Sequence, residues 1–287
     1  MISGVQSDLW QLKQLWQTAF GDSQDYVDFY FARAYSADKT VTRKADGKIV
    51  SAAQYRHFDL TCDGMTLKAV YILGVCTYPE HRRKGLAGSI VQQIISEQGA
   101  TGADAVFLIP SNAALFEYYA QLGLGLESVF TAYEEIVTKN DVSGEKYTLF
   151  QPNLQDLFDF YTRFYRRLSK AVLKDFDFFQ TVIRGVADFG GNISICGENG
   201  KIMGFAAVED GIVKELLCLD AKARDTLLAQ AMALTGSGEI KAVYPIDSPV
   251  AAIGQNAKQI NIGMAKAVSP RCDLTLLKGA YANLLLN

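Results

Sequence analysis

Between Leu73 and Ser89 the chain reads Leu-Gly-Val-Cys-Thr-Tyr-Pro-Glu-His-Arg-Arg-Lys-Gly-Leu-Ala-Gly-Ser. Three consecutive cations, Arg82, Arg83 and Lys84, lead into a turn whose residues Gly85, Ala87, Gly88 and Ser89 are small. An amphipathic pattern follows at once, so these small residues occupy the first turn of a helix. Backbone N–H groups in a first turn have no partner within their own helix, and the helix dipole favours negative charge there. No acidic residue lies between Arg82 and Ser96 to compete. These features together describe a site for a diphosphate. A solvated basic loop ahead of an ordinary helix is the plain alternative. The combination of strand, proline, basic triplet and small-residue turn favours the anion site. Neither GxxxxGK[ST] nor GxGxxG is present, so the segment is neither a P-loop nor a dinucleotide fingerprint.

The elements that must position this turn follow from hydrophobic period and turn residues. Leu9, Leu12, Leu15, Trp16 and Ala19 recur at helical spacing, Gly21-Asp22-Ser23 breaks the run, and Tyr26, Phe29, Tyr30 and Ala34 start a second helix. That aromatic stripe lines either a substrate groove or, as such residues more often do, the core. Val41–Lys44, Ile49–Asp59 and Thr66–Tyr78 read as strands, separated by Asp46-Gly47 and Asp63-Gly64, and Asp-Gly is a strong tight-turn signal. The spacing then predicts a helix over Leu86–Gln98, a strand at Ala105–Ile109, a helix over Asn112–Leu122 closed by Gly123, and a strand at Leu126–Thr138. Pro79 carries no N–H and stops the strand that delivers the loop.

Arg82-Arg83-Lys84-Gly85-Leu86-Ala87 matches the R/Q-x-x-G-x-G/A signature of the GNAT acetyltransferases, with Val75 and Pro79 where that family has its strand-four residue and loop proline. The chain also resembles the Eis-type branch, in which a degenerate second GNAT-like unit follows the first. The resemblance implies an α+β fold with a mixed, mostly antiparallel sheet flanked by helices, in tandem. It implies a catalytic unit at 1–138 with an acetyl-CoA site, a linker at 139–150 and a degenerate unit at 151–287. It further implies N-acetyl transfer from acetyl-CoA to a primary amine by direct attack on the thioester. Val75, Cys76 and Thr77 would pair with the pantetheine arm. The backbone N–H groups of Arg83, Lys84, Gly85, Leu86, Ala87 and Gly88 would hold the pyrophosphate, with Arg82 and Asn112 also binding the cofactor. The Val75 N–H would polarise the acetyl carbonyl, a contact worth about 3 kcal/mol. Family members carry an Asn near the start of the next helix and a Tyr four residues before a Gly, here Asn112 and Tyr119 ahead of Gly123. Tyr119 is then the candidate acid for the departing thiolate, with Tyr118 facing elsewhere, and Leu124 replaces the usual aromatic. For the general base, His57, Glu80, Asp59, Glu134 and Glu135 all stay open, while His81 in the phosphate loop reads as structural. In the Eis-type branch the terminal carboxylate enters the site; only 17 residues follow Pro270, short of that branch's extra domain, which argues against this role for Asn287.

The polar segment 139–145 reads as a linker. Beyond it, helices are expected over Leu154–Leu173 and Phe176–Val186, with Asn192–Cys196 and Met203–Val208 flanking a hairpin turn. A strand at Ile212–Leu219, a helix at Ala221–Leu234, and strands at Ile240–Val243 and Ala265–Val268 complete the second half. The junction Leu216–Leu228 repeats strand-then-helix but lacks glycine and carries Asp220 and Asp225 where phosphate would sit, so it is not expected to bind coenzyme A. It would instead wall the acceptor groove or mediate dimerisation. Tyr161, Phe164, Tyr165, Arg166 and Arg167 read as a helix with one buried and one charged face.

With 49% hydrophobic and 21% charged residues, the composition is that of a soluble globular protein, and the net charge of −3 gives no reason to expect nucleic acid or an acidic membrane as partner. The five cysteines are widely spaced with no CxxC pair, which points to free thiols in a reducing compartment and to no metal site. No secretory signal or spanning segment is visible, and a cytoplasmic protein is expected. The acceptor, whether small amine, aminoglycoside, polyamine or protein amine, stays open, as does assembly into a homo-oligomer. The competing readings are transfer of another acyl group and a coenzyme A-binding regulatory module without turnover.

Overall fold

The computed structural model describes residues 4–251, 256–283 and 286. Two helices, α1 (Gly4–Phe20) and α2 (Gln24–Arg33), precede the strands β1 (Thr40–Ala45), β2 (Lys48–Cys62) and β3 (Met65–Thr77). Asp46-Gly47 and Asp63-Gly64 turn these strands back on each other with all four residues at positive φ, as a tight hairpin connection requires. Next come α3 (Leu86–Ala100), β4 (Ala105–Leu108), α4 (Ala113–Gln121) and β5 (Glu127–Thr138). The second half contains β6 (Thr148–Leu149), α5 (Leu154–Tyr165), β7 (Lys170–Leu173), α6 (Phe176–Asp188), β8 (Asn192–Glu198), β9 (Lys201–Glu209) and β10 (Ile212–Cys218). It ends with α7 (Ala221–Thr235), β11 (Glu239–Tyr244), β12 (Lys258–Ala267) and the short α8 (Leu274–Leu277).

All twelve strands join one sheet, in the order β1-β2-β3-β4-β12-β5-β11-β10-β9-β8-β6, with β7 on the far half of β2. Among the strands of the described residues, only β3 with β4 and β10 with β11 pair in parallel, each pair bridged by a helix, α3 and α7 respectively. The antiparallel pair feeding a parallel crossover thus occurs twice. The closing strands are exchanged. β12, from the second half, lies between β4 and β5, while β5 lies against β11.

Ala69–Leu73 is an unbroken apolar run because both faces of β3 are covered. Ala69, Tyr71 and Leu73 enter the largest core, shared by α1, α2, α5 and α6, whereas Val70 and Ile72 meet Ile90, Val91, Ile94 and Ile95 of α3. A third core packs α7 on β8–β11. The helix expected over Leu154–Leu173 stops at Tyr165. Lys170–Leu173 instead pairs with Asp59–Cys62, a long-range contact that overrides the local apolar pattern. The last strand begins at Lys258, well ahead of the expected Ala265. Among the described residues, no helix is long and apolar enough to cross a membrane.

Candidate active site

The site begins with an irregularity in β3. Gly74 and Val75 stand opposite the single residue Ala53 of β2, forming a bulge in which Gly74 takes φ +60°. A Cβ at Gly74 would come within 2.5 Å of the Trp16 ring. That ring is held by its own bond to Asp22 (Nε1 to Oδ2, 2.7 Å) and by stacking on Tyr30 at 4.3 Å. On the other edge, β4 pairs with β3 only over Ala69–Ile72, and the chain then leaves toward α4. The two parallel strands part at the bulge. Between them lies a cavity of about 270 Å³ reached by Trp16 and Asp22 from the first helices, Gly74 and Val75 from β3, and Leu115 and Tyr119 from α4.

Val75 and Tyr119, distant in sequence, therefore line one space. Tyr119 is buried, and its hydroxyl makes no hydrogen bond among the described residues. Burial, then neighbouring Tyr118 and Cys76, push its phenol well above the ordinary tyrosine value, so it stays a proton donor throughout the neutral range. Cys76 is a buried thiol pushed up to about 12 by desolvation and donating to the Ala52 carbonyl at 3.6 Å, which rules it out as a thiolate nucleophile. The Thr77 hydroxyl pairs with that of Ser51 at 2.8 Å.

Past the strand, Pro79–His81 forms one 3₁₀ turn, and Arg82 folds back so that its Nε donates to the Thr77 carbonyl at 3.1 Å. Arg83 and Gly85 both take left-handed φ, +60° and +73°, bringing the chain sharply into α3. Gly85 is the N-cap and offers no side-chain acceptor. Among the described residues, no backbone N–H from Arg83 to Ala87 donates a hydrogen bond. The Gly88 amide differs, because the Tyr118 hydroxyl lies against it. A Cβ at Gly88 would sit 3.0 Å from Leu122, so this glycine also lets α4 approach the first turn of α3. Asn112 caps α4, its Oδ1 accepting from the Leu115 N–H at 3.1 Å. Sequence reasoning passed over Arg43, which reaches from β1 to Ser89, donating from Nε to Oγ and from Nη2 to the carbonyl, both at 3.1 Å. It brings a fourth cation to this turn.

Asp22 and Leu286 also line a second cavity of about 490 Å³, which carries Tyr26, Glu209, Asp210 and Lys214. Lys214 is paired with Asp210 at 3.6 Å, so the wall is net acidic. Burial raises the Glu209 carboxyl, and burial with Asp22 and Glu209 raises Tyr26 to about 12. The aromatic stripe of α2 thus divides, Tyr30 going to the core and Tyr26 to the cavity. The open base candidates separate as well. His57 pairs with Gln98 (Nε2 to Oε1, 2.9 Å) at the C-terminal end of α3, ten residues beyond Gly88 and hence about 15 Å along the helix axis. Glu135 is buried against Arg224 at 3.0 Å and accepts from Tyr244, a structural pairing. Glu134 faces a larger cleft of about 980 Å³ that also holds Asn112, and it pairs with Lys241 at 3.2 Å. Glu80 lies in the 3₁₀ turn and Asp59 where β2 meets β7. Asn287 is outside the described residues. At the second strand-to-helix junction, Asp220 caps α7 by accepting the Ala223 N–H at 2.8 Å and the Tyr147 hydroxyl at 2.9 Å, filling the position an anion would need.

Residues 3–126 match the family model of the acetyltransferase (GNAT) domain. No curated protein sequence matches the chain. Among solved structures, a GCN5-related N-acetyltransferase from Anabaena variabilis has a TM-score of 0.71 at 14% identity, covering 92% of this chain and 71% of that one. A probable N-acyltransferase from Enterococcus faecalis V583 gives 0.68 at 16%, with the same coverage. Eis1 from Mycobacterium abscessus gives 0.64 at 11%, covering 91% and 72%. At such identities the likeness is one of fold, and it runs through both halves of the chain. Residues 3–126 thus form an acetyltransferase (GNAT) domain, and the chain as a whole shares the fold of these solved structures.

Proposed function

We propose that the protein transfers an acetyl group from acetyl-CoA to a primary amine by direct attack of the amine on the thioester. The observation that carries this reading is the meeting of the β3 bulge and Tyr119 in one cavity, beside a helix start whose amides from Arg83 to Ala87 are unused. Acetyl-CoA supplies an activated carbonyl. The edge of β3 at Val75–Thr77, which β4 leaves uncovered, offers main-chain groups to an extended pantetheine arm, apart from the Thr77 carbonyl that Arg82 takes. Arg83, Lys84, Gly85, Leu86 and Ala87 present N–H groups to the diphosphate, with Arg43 and Arg82 close by, while Gly88 gives the turn its close approach to α4. The Val75 N–H faces the oxyanion that develops as the amine attacks, and Tyr119 gives its proton to the departing sulfur. The C–S bond breaks as the C–N bond forms, and the proton the nitrogen loses replaces the one Tyr119 gave to sulfur, leaving amide and free thiol; an acceptor that arrives as an ammonium releases one further proton to solvent. Asp22, Glu209 and Asp210 favour a cationic acceptor, whose amine enters from the second cavity. Residues 1–138 then form the catalytic unit, 139–150 the linker, and 151–287 a degenerate second unit that lends β12 to the first.

The test is release of free thiol from acetyl-CoA against a panel of amines, with calorimetric binding of coenzyme A to the same preparation. Turnover with an amine, lost in Tyr119→Phe while coenzyme A still binds, is the expected result. Binding without turnover for any amine would identify a regulatory module, and failure to bind any acyl-CoA would end the proposal.

A further inference from the structure

We propose that Lys174 is a positioning residue for the acceptor side of the reaction: the closed hydrogen-bonded ring it completes holds residues 280–283 in place, and with them the Asn283 and Leu286 side chains that wall the cavities. Lys174 Nζ donates to the Asn283 carbonyl at 2.7 Å and to the Tyr161 hydroxyl at 2.5 Å. Tyr161 and Tyr165, stacked at 4.2 Å, are bonded through their hydroxyls, and Tyr165 donates to Glu215. The Tyr281 hydroxyl lies beside the same carboxylate. Asn283 Nδ2 closes the circuit by donating to that hydroxyl at 3.0 Å, and it also donates to the Lys214 carbonyl at 2.5 Å. The members come from α5, the end of β7, β10 and the C-terminal segment, so the ring ties that segment to three separate elements.

A buried lysine and glutamate are poor material for stability alone, since apolar residues of like volume commonly do as well or better. Lys174 and Glu215 are nonetheless 5% and 0% exposed. What the ring fixes is a single path for the chain. Main-chain bonds of Thr131 to Ala280 and of Val172 to Tyr281 bring the segment across the sheet, and the ring holds it at Asn283. Asn283 itself lines the acidic cavity and the larger cleft, and Leu286 lines the acidic and acetyl cavities. Among the described residues, no hydrogen bond joins the diphosphate turn at Gly85 to this ring, so a loosened ring should disturb the acceptor and spare the coenzyme.

The kinetic part of the test rests on the proposed acetyl transfer; hydrogen exchange does not, so the two fail separately. In Lys174→Met, amides of 280–283 should exchange at least about tenfold faster, and the acceptor KM should rise by a similar factor, while coenzyme A affinity stays within about twofold. Tyr161→Phe, which removes the hydroxyl joining Lys174 to Tyr165 but leaves the Lys174 bond to the Asn283 carbonyl, should show the same pattern at about threefold and decides the matter if Lys174→Met does not fold. Unchanged exchange at 280–283 in Tyr161→Phe would overturn the proposal, as would equal losses of acceptor and coenzyme A binding.

Discussion

Replacing Gly74 by alanine tests the bulge at the centre of the site. Two costs can be worked out separately. An L-residue at φ +60° loses about 1–2 kcal/mol relative to glycine. The new methyl would also meet the Trp16 ring at 2.5 Å, about 1 Å inside ordinary contact, and that ring is fixed by Asp22 and Tyr30. Accommodating the overlap by shifting a packed ring costs a further ~1–3 kcal/mol. Gly74→Ala should therefore destabilise by roughly 2–5 kcal/mol, read from urea unfolding followed by circular dichroism. In a Trp16→Leu background only the backbone cost should remain, leaving a coupling of roughly 1–3 kcal/mol between the two positions. Because the bulge sets the Val75 N–H, kcat should also fall about a hundredfold in Gly74→Ala. Equal cost in both backgrounds would refute the steric account, and no cost at all would mean the left-handed residue is not required.

Tyr119→Phe should lower kcat by about tenfold to a hundredfold with coenzyme A affinity unchanged. Since the phenol is pushed upward and its protonated form is the useful one, the alkaline loss of rate it causes must lie above pH 10; a fall centred below 10 that disappears in the variant would contradict this. Lys174 is lowered from 10.5 to about 8 by burial, with Glu215 opposing. The unfolded chain then holds more protons between those values, so this group's penalty is fully present below pH 8 and is relieved as pH rises toward 10.5, by about 3 kcal/mol in total. The stability difference between wild type and Lys174→Met should shift by that amount across the window in chemical unfolding, and a flat difference would rule it out. Arg224→Met strands Glu135 in the core and should cost about 3–5 kcal/mol, much of it recovered by adding Glu135→Gln.

Much of the first half was legible because its signals are local. Asp-Gly pairs mark both hairpins, the run Ala69–Leu73 announces a strand covered on two faces, and the small-residue turn after Arg82–Lys84 betrays the start of α3. Gly74 inside a strand was itself a sign of a bulge. What escaped is non-local. Lys170–Leu173 fits a helical pattern until β2 claims it, and Lys258–Ile262 is too polar to declare itself a strand before β5 pairs with it. The acidic wall escaped for the same reason: Asp22 reads as part of a helix break, and Glu209 and Asp210 fall unmarked between two expected strands, until folding brings them to one cavity.

The exchanged strands bear on how the molecule is made. Until residue 267 has left the ribosome, β4 lacks its β12 neighbour and β5 lacks both of its neighbours, β11 and β12, so these edges stay open to any neighbouring chain. The nascent N-terminal half must wait in that state while more than a hundred further residues are added. A gene fragment ending after β5 would encode a permanently gapped sheet, prone to pair with its own kind, and supplying the missing half in trans should rescue its solubility.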